Sequence, residues 1–153
     1  MSFQNQFTKT TTDANLMETV HHGSAEYPFR YYYENIALFD FKCIDWHWHS
    51  ELEFIYIESG NVVFDIGTVH FELNEGNGIM INSKILHRLQ SSSDAIIPNF
   101  LFQPSFIAPQ DSLIYKKYIN PVISSSLEYL VFQPDIPWQK KALEIIKTII
   151  TVQ

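Results

Sequence analysis

Eight short apolar or alternating segments constrain what this 153-residue chain can become. They span residues 31–33, 37–44, 52–57, 62–66, 69–73, 78–81, 85–90 and 99–103. Turn-forming residues separate them: Ser59-Gly60-Asn61, Gly67-Thr68, Asn74-Glu75-Gly76-Asn77 and Asn82-Ser83. Short strands at this spacing predict an all-β sandwich or barrel. Twelve Phe and eight Tyr suit such a pleated, half-buried framework. The length fits one domain.

The ends read differently. Residues 1–25 are polar and rich in Thr, Asn and Gln, which predicts a mobile arm. The barrel is expected over 26–133, with residues near 127–132 forming one more strand. From 134 to 153 the reading is a helix, with Pro137 suited to its first position. Trp138, Ala142, Ile145, Ile146 and Ile149 recur at helical spacing, and the pattern is still running at Gln153. A further domain beyond this point is therefore expected.

A net charge of −7 with ten Lys and Arg leaves no footprint for phosphate binding. Any action on DNA would need a part outside this chain. The single cysteine, Cys43, excludes an intrachain disulfide and a Cys-based zinc site, and it reads as core packing. Neither a signal-like apolar stretch nor an 18-residue apolar run occurs, so a cytoplasmic location is expected.

Chemistry concentrates in two segments. In His47-Trp48-His49-Ser50-Glu51-Leu52-Glu53, the two histidines share one face of a strand, while Trp46 and Trp48 take the other. In Asn82-Ser83-Lys84-Ile85-Leu86-His87, His87 shares parity with Ile85 and Leu89, an inward side. His47, His49, Glu53 and His87 together make a sensible ligand set for zinc, nickel, iron or manganese. The alternative is a pocket lined by hydrogen-bonded polar groups. Arg30, beside Phe29 and Tyr31, is a candidate to grip an anionic or hydroxyl-rich ligand, or a surface Arg packed on a ring. Trp46 is a candidate pocket lining, or core. Glu51 belongs to a turn, His70 faces solvent, and His21 and His22 lie in the arm, where either could reach over the barrel mouth but the favoured reading is an exposed pair.

His47-x-His49-x-x-x-Glu53 followed by Gly60 resembles the first cupin motif, and Gly76 to His87 resembles the second. Two departures stand out: Asn82 replaces a frequent Pro, and Lys84 a usual Gly. These, with Ile81-Asn82-Ser83, Leu86-His87 and Tyr27-Pro28-Phe29-Arg30-Tyr31, resemble the N-terminal sensor domains of AraC-type regulators. The resemblance implies a cupin jelly-roll barrel followed by a helix. It also implies a small effector in the barrel, a sugar or related metabolite, with Arg30, Trp46, His47, His49, Glu53 and His87 as contacts. The apolar stripe of Ala142, Ile145, Ile146, Ile149 and Ile150 predicts a homodimer through the C-terminal helix, and the resemblance implies a helix-turn-helix domain outside this chain. A small metal-dependent cupin enzyme, a dioxygenase or isomerase, is the alternative.

Overall fold

A computed structural model describes residues 8–153. Among these residues, nine strands form two antiparallel sheets. They are β1 (Phe29–Asn35), β2 (Cys43–His47), β3 (Leu52–Tyr56), β4 (Asn61–Ile66), β5 (Val69–Asn74), β6 (Gly78–Ile81), β7 (His87–Gln90), β8 (Ile96–Phe102) and β9 (Tyr129–Phe132). One sheet runs β1-β8-β3-β6-β9 and the other β2-β7-β4-β5. Consecutive strands alternate between sheets often enough to make the expected jelly roll. A short helix α1 (Asn120–Ile123) lies in the excursion between β8 and β9, and α2 (Pro137–Thr151) ends the described chain.

The two-residue period of the strands splits the side chains into two cores. The inner one lies between the sheets and includes Ile55, Ile57, Val62, Phe64, Ile79, Ile81, Leu89 and Ile97. The outer one covers the far side of the five-stranded sheet, where Leu52, Met80, Phe100, Phe102 and Phe132 meet Leu143, Ile146 and Ile150 of α2. Pro137 occupies the first turn of α2, where its missing N–H costs nothing. The helix seats where the sheet lacks a side chain: a Cβ on Gly78 would come within 2.8 Å of Leu143 Cδ2. At Gly60 the backbone has φ +83° and a Cβ would meet the Asp94 carbonyl oxygen at 2.4 Å. That turn accepts only glycine.

The segment at 37–44 departs from the strand expected there. Asn35 accepts a hydrogen bond from the Ala37 amide and turns the chain into two 3₁₀ turns, Ile36–Leu38 and Asp40–Lys42. Phe41 and Lys42 then take left-handed backbone angles, leaving Phe41 fully exposed and β2 to start only at Cys43. A side-chain cap outcompeted β-propensity here.

The two departures from the cupin pattern have structural explanations. Lys84 has φ +63°, the conformation that makes glycine usual at such a position. Asn82 is buried and donates to the Val122 and Leu127 carbonyls at 3.0 and 2.7 Å, stapling down the β8–β9 excursion. Proline has no side-chain donor for that task.

Candidate functional site

His47 and His87 are cross-strand partners on β2 and β7 in one sheet. Glu53, on β3, belongs to the other sheet, and His49 lies on the β2–β3 connection. The inner barrel end brings all four together. His47, His49, Glu53 and His87 each present a ligand atom within 4.8 Å of the others, and all four are buried.

The backbone orients each imidazole. Nδ1–H of His47 donates to the Asp45 carbonyl at 2.7 Å, that of His49 to Glu51 at 3.2 Å, and that of His87 to Ile85 at 2.8 Å. A carbonyl accepts only, so these bonds put a hydrogen on Nδ1 and turn Nε2 inward, where it offers a lone pair to a metal when the imidazole is neutral and an N–H to a carboxylate when it is protonated. Nε2 of His49 and of His87 stand 3.2 and 3.1 Å from one Glu53 oxygen. Two ligand atoms each roughly 2.1 Å from a shared ion are themselves separated by about 3 Å. The residues thus fit a divalent metal. Among the described residues this is the one such cluster.

The electrostatics agree. Burial and the neighbouring His87 drive the His47 imidazole down to about 3, so it stays neutral and ready to ligate. Burial alone would raise the Glu53 carboxyl, but hydrogen bonds from His49 and His87 hold it well below the usual carboxylate range. Burial alone would depress His49, yet its bond to Glu53 raises it.

Beside this cluster lies a cavity of about 50 Å³. One wall carries His47, His49 and Glu53, and the floor carries Tyr32, Glu34 and Asn99. Lys9, Thr10, Glu18, Val20 and His22 from the N-terminal segment close it. Sequence reasoning missed both groups. His22, read as half of an exposed pair, is buried: Nε2 is 2.7 Å from Glu18, Nδ1 is 2.8 Å from the Tyr32 hydroxyl, and its ring meets His49 edge-on. His21 is exposed. Backbone bonds from Glu18 to Trp48 and from Trp48 to Leu16 fasten this segment to the residue just after β2. Residues 1–7, the start of the expected mobile arm, lie outside the described residues. Tyr32 and Glu34 alternate on β1, a signal that parity could have exposed. Nothing local marks Glu18 or His22.

The remaining candidates lie elsewhere. Trp46 occupies the opposite face of β2, with the Arg88 guanidinium 5.1 Å from its ring. Arg30 stands 5.7 Å from the Tyr32 ring, outside the cavity lining. Glu51 is buried in the β2–β3 turn and accepts from Gln103 at 2.9 Å. His70 is largely exposed and bonds Asp65 at 2.6 Å.

Comparison with known proteins gives three results. The family described as AraC-like ligand binding domain matches residues 26–109. YdeC, an HTH-type transcriptional regulator of Bacillus subtilis, is 32% identical over 140 residues, 90% of this chain and 47% of that protein. The chain thus spans about half the length of this curated relative. A cupin 2 conserved barrel domain protein from Salinispora arenicola superposes with a TM-score of 0.46 at 13% identity, over 58% of this chain and 71% of that one. A cupin-2 domain protein from Shewanella frigidimarina does so at 0.42 and 14%, over 48% and 69%. No helix is long and apolar enough to cross a membrane among the described residues. With its family match, its two-sheet barrel and its inward His/Glu cluster, this chain belongs to the AraC-like ligand-binding domain family.

Proposed function

We propose that this chain is the effector-sensing and dimerisation part of an AraC-type transcriptional regulator, and that it is not an enzyme. The observation that carries the reading is the cavity itself. It is lined by polar and apolar side chains together and partly roofed by the N-terminal segment, so an occupant beneath the roof meets Glu18 or His22 as well as the barrel. Such an occupant favours one placement of that segment over another, which is how binding free energy shifts a population.

A divalent ion, zinc, nickel, iron or manganese, would be held by His47, His49, Glu53 and His87. It would supply a Lewis-acidic centre for an effector oxygen. The chain's own residues do the rest: backbone carbonyls aim the imidazoles, and His22 keeps the roof beside His49. The same cluster favours the second reading, a metal-dependent cupin enzyme; the regulator relative favours the first. A sugar-sized effector requires the roof to lift, because the closed cavity holds about three or four waters.

DNA contact belongs to a helix-turn-helix domain outside this chain, since the −7 charge suits no nucleic acid. Pairing of two copies through α2 uses Trp138, Ile145 and Ile149. Ile146 and Ile150, which belong to the same apolar stripe, are already spent on the barrel. The test is a fusion of residues 1–153 to a DNA-binding domain that acts only as a dimer. Reporter activity should appear, respond to an extract of small metabolites, and lose that response in Glu53→Gln. Ile145→Asp with Ile149→Asp should abolish activity. A purified chain that instead consumes a metabolite catalytically would overturn the reading.

A further inference from the structure

Among the described residues, four strands border the two sheets: β1 and β9 in one, β2 and β5 in the other. Three of these edges are obstructed or short. Thr10 Oγ1 of the N-terminal segment accepts from the Asp45 amide at 3.0 Å, and β2 itself bulges between Ile44 and His47. The turn at Gly23 lies across the start of β1, where a Cβ on Gly23 would meet Phe29 N and O at 2.6 and 2.7 Å. β9 has only four residues. β5 differs. Its six residues pair with β4 without a register shift, and neither proline nor lysine interrupts them. Such an edge is a template for a further strand.

The ladder shows which groups that edge offers. Gly67 donates to the Leu86 carbonyl at 3.0 Å, so the odd-numbered residues of β4 face β7 and the even-numbered ones face β5. Val69, Phe71 and Leu73 are therefore bonded to β4, while His70, Glu72 and Asn74 turn their backbone groups outward. Asn77 Oδ1 caps the Asn74 amide at 3.1 Å. The amides and carbonyls of His70 and Glu72 have no partner among the described residues. The side chains of these two residues share the outer face of the sheet. Asp65 holds Nδ1 of His70 at 2.6 Å, yet that side chain is 69% exposed, which leaves Nε2 to reach past the strand.

We propose that two copies of this chain pair antiparallel along β5, about a two-fold axis through Phe71, and join their four-stranded sheets into one. Hydrogen-bonding parity permits registers centred on His70, Phe71 or Glu72. The first sets His70 against itself, and the third sets Glu72 against itself. The Phe71 register instead sets His70 opposite the partner's Glu72, and the two-fold repeats the pair. Each pair exchanges both of its backbone bonds. A protonated His70 then donates from Nδ1 to Asp65 and from Nε2 to the partner's Glu72. On the inner side, Phe71 meets the partner's Phe71. That contact extends a stack in which Phe71 already lies 5.8 Å from Phe64 and 5.0 Å from Tyr129. Val69, 40% exposed, lies opposite the partner's Leu73. The contact is small, so association is weak and needs high protein concentration. It uses no residue of α2, which packs on the other sheet, so a chain that pairs through both surfaces links dimers into larger assemblies.

The experiment uses the 153-residue chain carrying Ile145→Asp, which disables the α2 face. Amide hydrogen exchange and sedimentation are followed from micromolar to millimolar protein. The His70 and Glu72 amides should slow by about tenfold or more as concentration rises, in step with a growing dimer fraction. His70→Glu and Glu72→Lys should each weaken association by about tenfold, since each sets like charges across the axis. The two variants mixed in equal amounts should pair with each other, because each supplies the charge that the other's edge lacks. Melting curves confirm that both are folded, and the exchange measurement on the Ile145→Asp chain needs neither. Exchange that is independent of concentration would overturn the proposal. So would protection at β1 instead of β5, or association that survives both charge variants. An extended peptide that occupies the β5 edge of a chain remaining monomeric would also overturn it, by giving the edge a different occupant. Pairing through α2 is judged separately, by the change in mass that Ile145→Asp itself produces.

Discussion

The barrel has two concavities built from opposite faces of the same strands. On β1, β3 and β8, Tyr32, Glu34, Glu53, Asn99 and Leu101 face the polar cavity. Residues of the opposite parity on the same strands, including Phe29, Phe54, Phe100 and Phe102, line an apolar groove of about 440 Å³ beside α2. The inner surface is largely buried and the outer one is open in part, Ile145 of its lining being 56% exposed, and the two are held by different forces. The inner one depends on hydrogen bonds that satisfy every histidine. The outer one depends on area removed from water and on stacked rings, Phe54 lying 5.3 Å from Phe100 with an 11° tilt. Substitutions should therefore change stability on the outside and ligand or proton binding on the inside.

The largest expected effect tests the outer face. Ile146 is 3% exposed and Ile145 56% exposed, one residue apart on α2. Ile146→Asp buries an unpaired charge and should cost more than about 4 kcal/mol in denaturant titration. Ile145→Asp should cost less than about 0.5 kcal/mol in the isolated chain. Equal costs would mean that the helix does not seat as described.

The inner face should respond to pH instead. Burial pushes the Glu34 carboxyl up to about 7, with the Asn99 hydrogen bond opposing. Between the ordinary carboxylate range and that value, the native state holds a proton that the unfolded chain has released. Stability contributed by the neutral carboxyl is present below the ordinary value and is lost as pH rises toward 7. Glu34→Gln should thus match the parent near pH 4 and exceed it by about 3 kcal/mol at pH 8. A pH-independent difference would remove the charge argument.

Metal affinity separates the faces again. His47→Ala with His49→Ala should lower zinc affinity more than 100-fold, beyond the roughly 10–100-fold typical of outer-shell partners. Ile145→Asp should leave it untouched, as read by competition with a chelating dye. The smallest effect concerns the backbone at Lys84. With φ +63° already imposed, Lys84→Gly should be neutral or stabilise by about 1 kcal/mol in thermal melts.

Alternation made much of this visible beforehand. The parity of His47 and His49, and of Ile85, His87 and Leu89, placed three histidines inward with no knowledge of the fold. Helical spacing found α2 but could not say which part of its stripe would face the barrel, because that depends on the gap at Gly78. The roof stayed hidden for a different reason. Glu18 and His22 sit in a polar segment without periodicity, and their partners Tyr32 and Trp48 are distant in sequence. The 3₁₀ turns after β1 were masked by an apolar run that one Asn35 cap redirects.

The shared strands also limit how such a chain can change over generations. Inserting one residue within Ile96–Phe102 would exchange Asn99 for a phenylalanine inside and expose an amide outside. A single indel would thus spoil the cavity and helix docking together, and neither defect could be repaired alone. The Gly67-Thr68 hairpin tip, which lines neither surface, carries no such double duty. Length variation among descendants should gather there, while β8 drifts only by substitution, one face at a time.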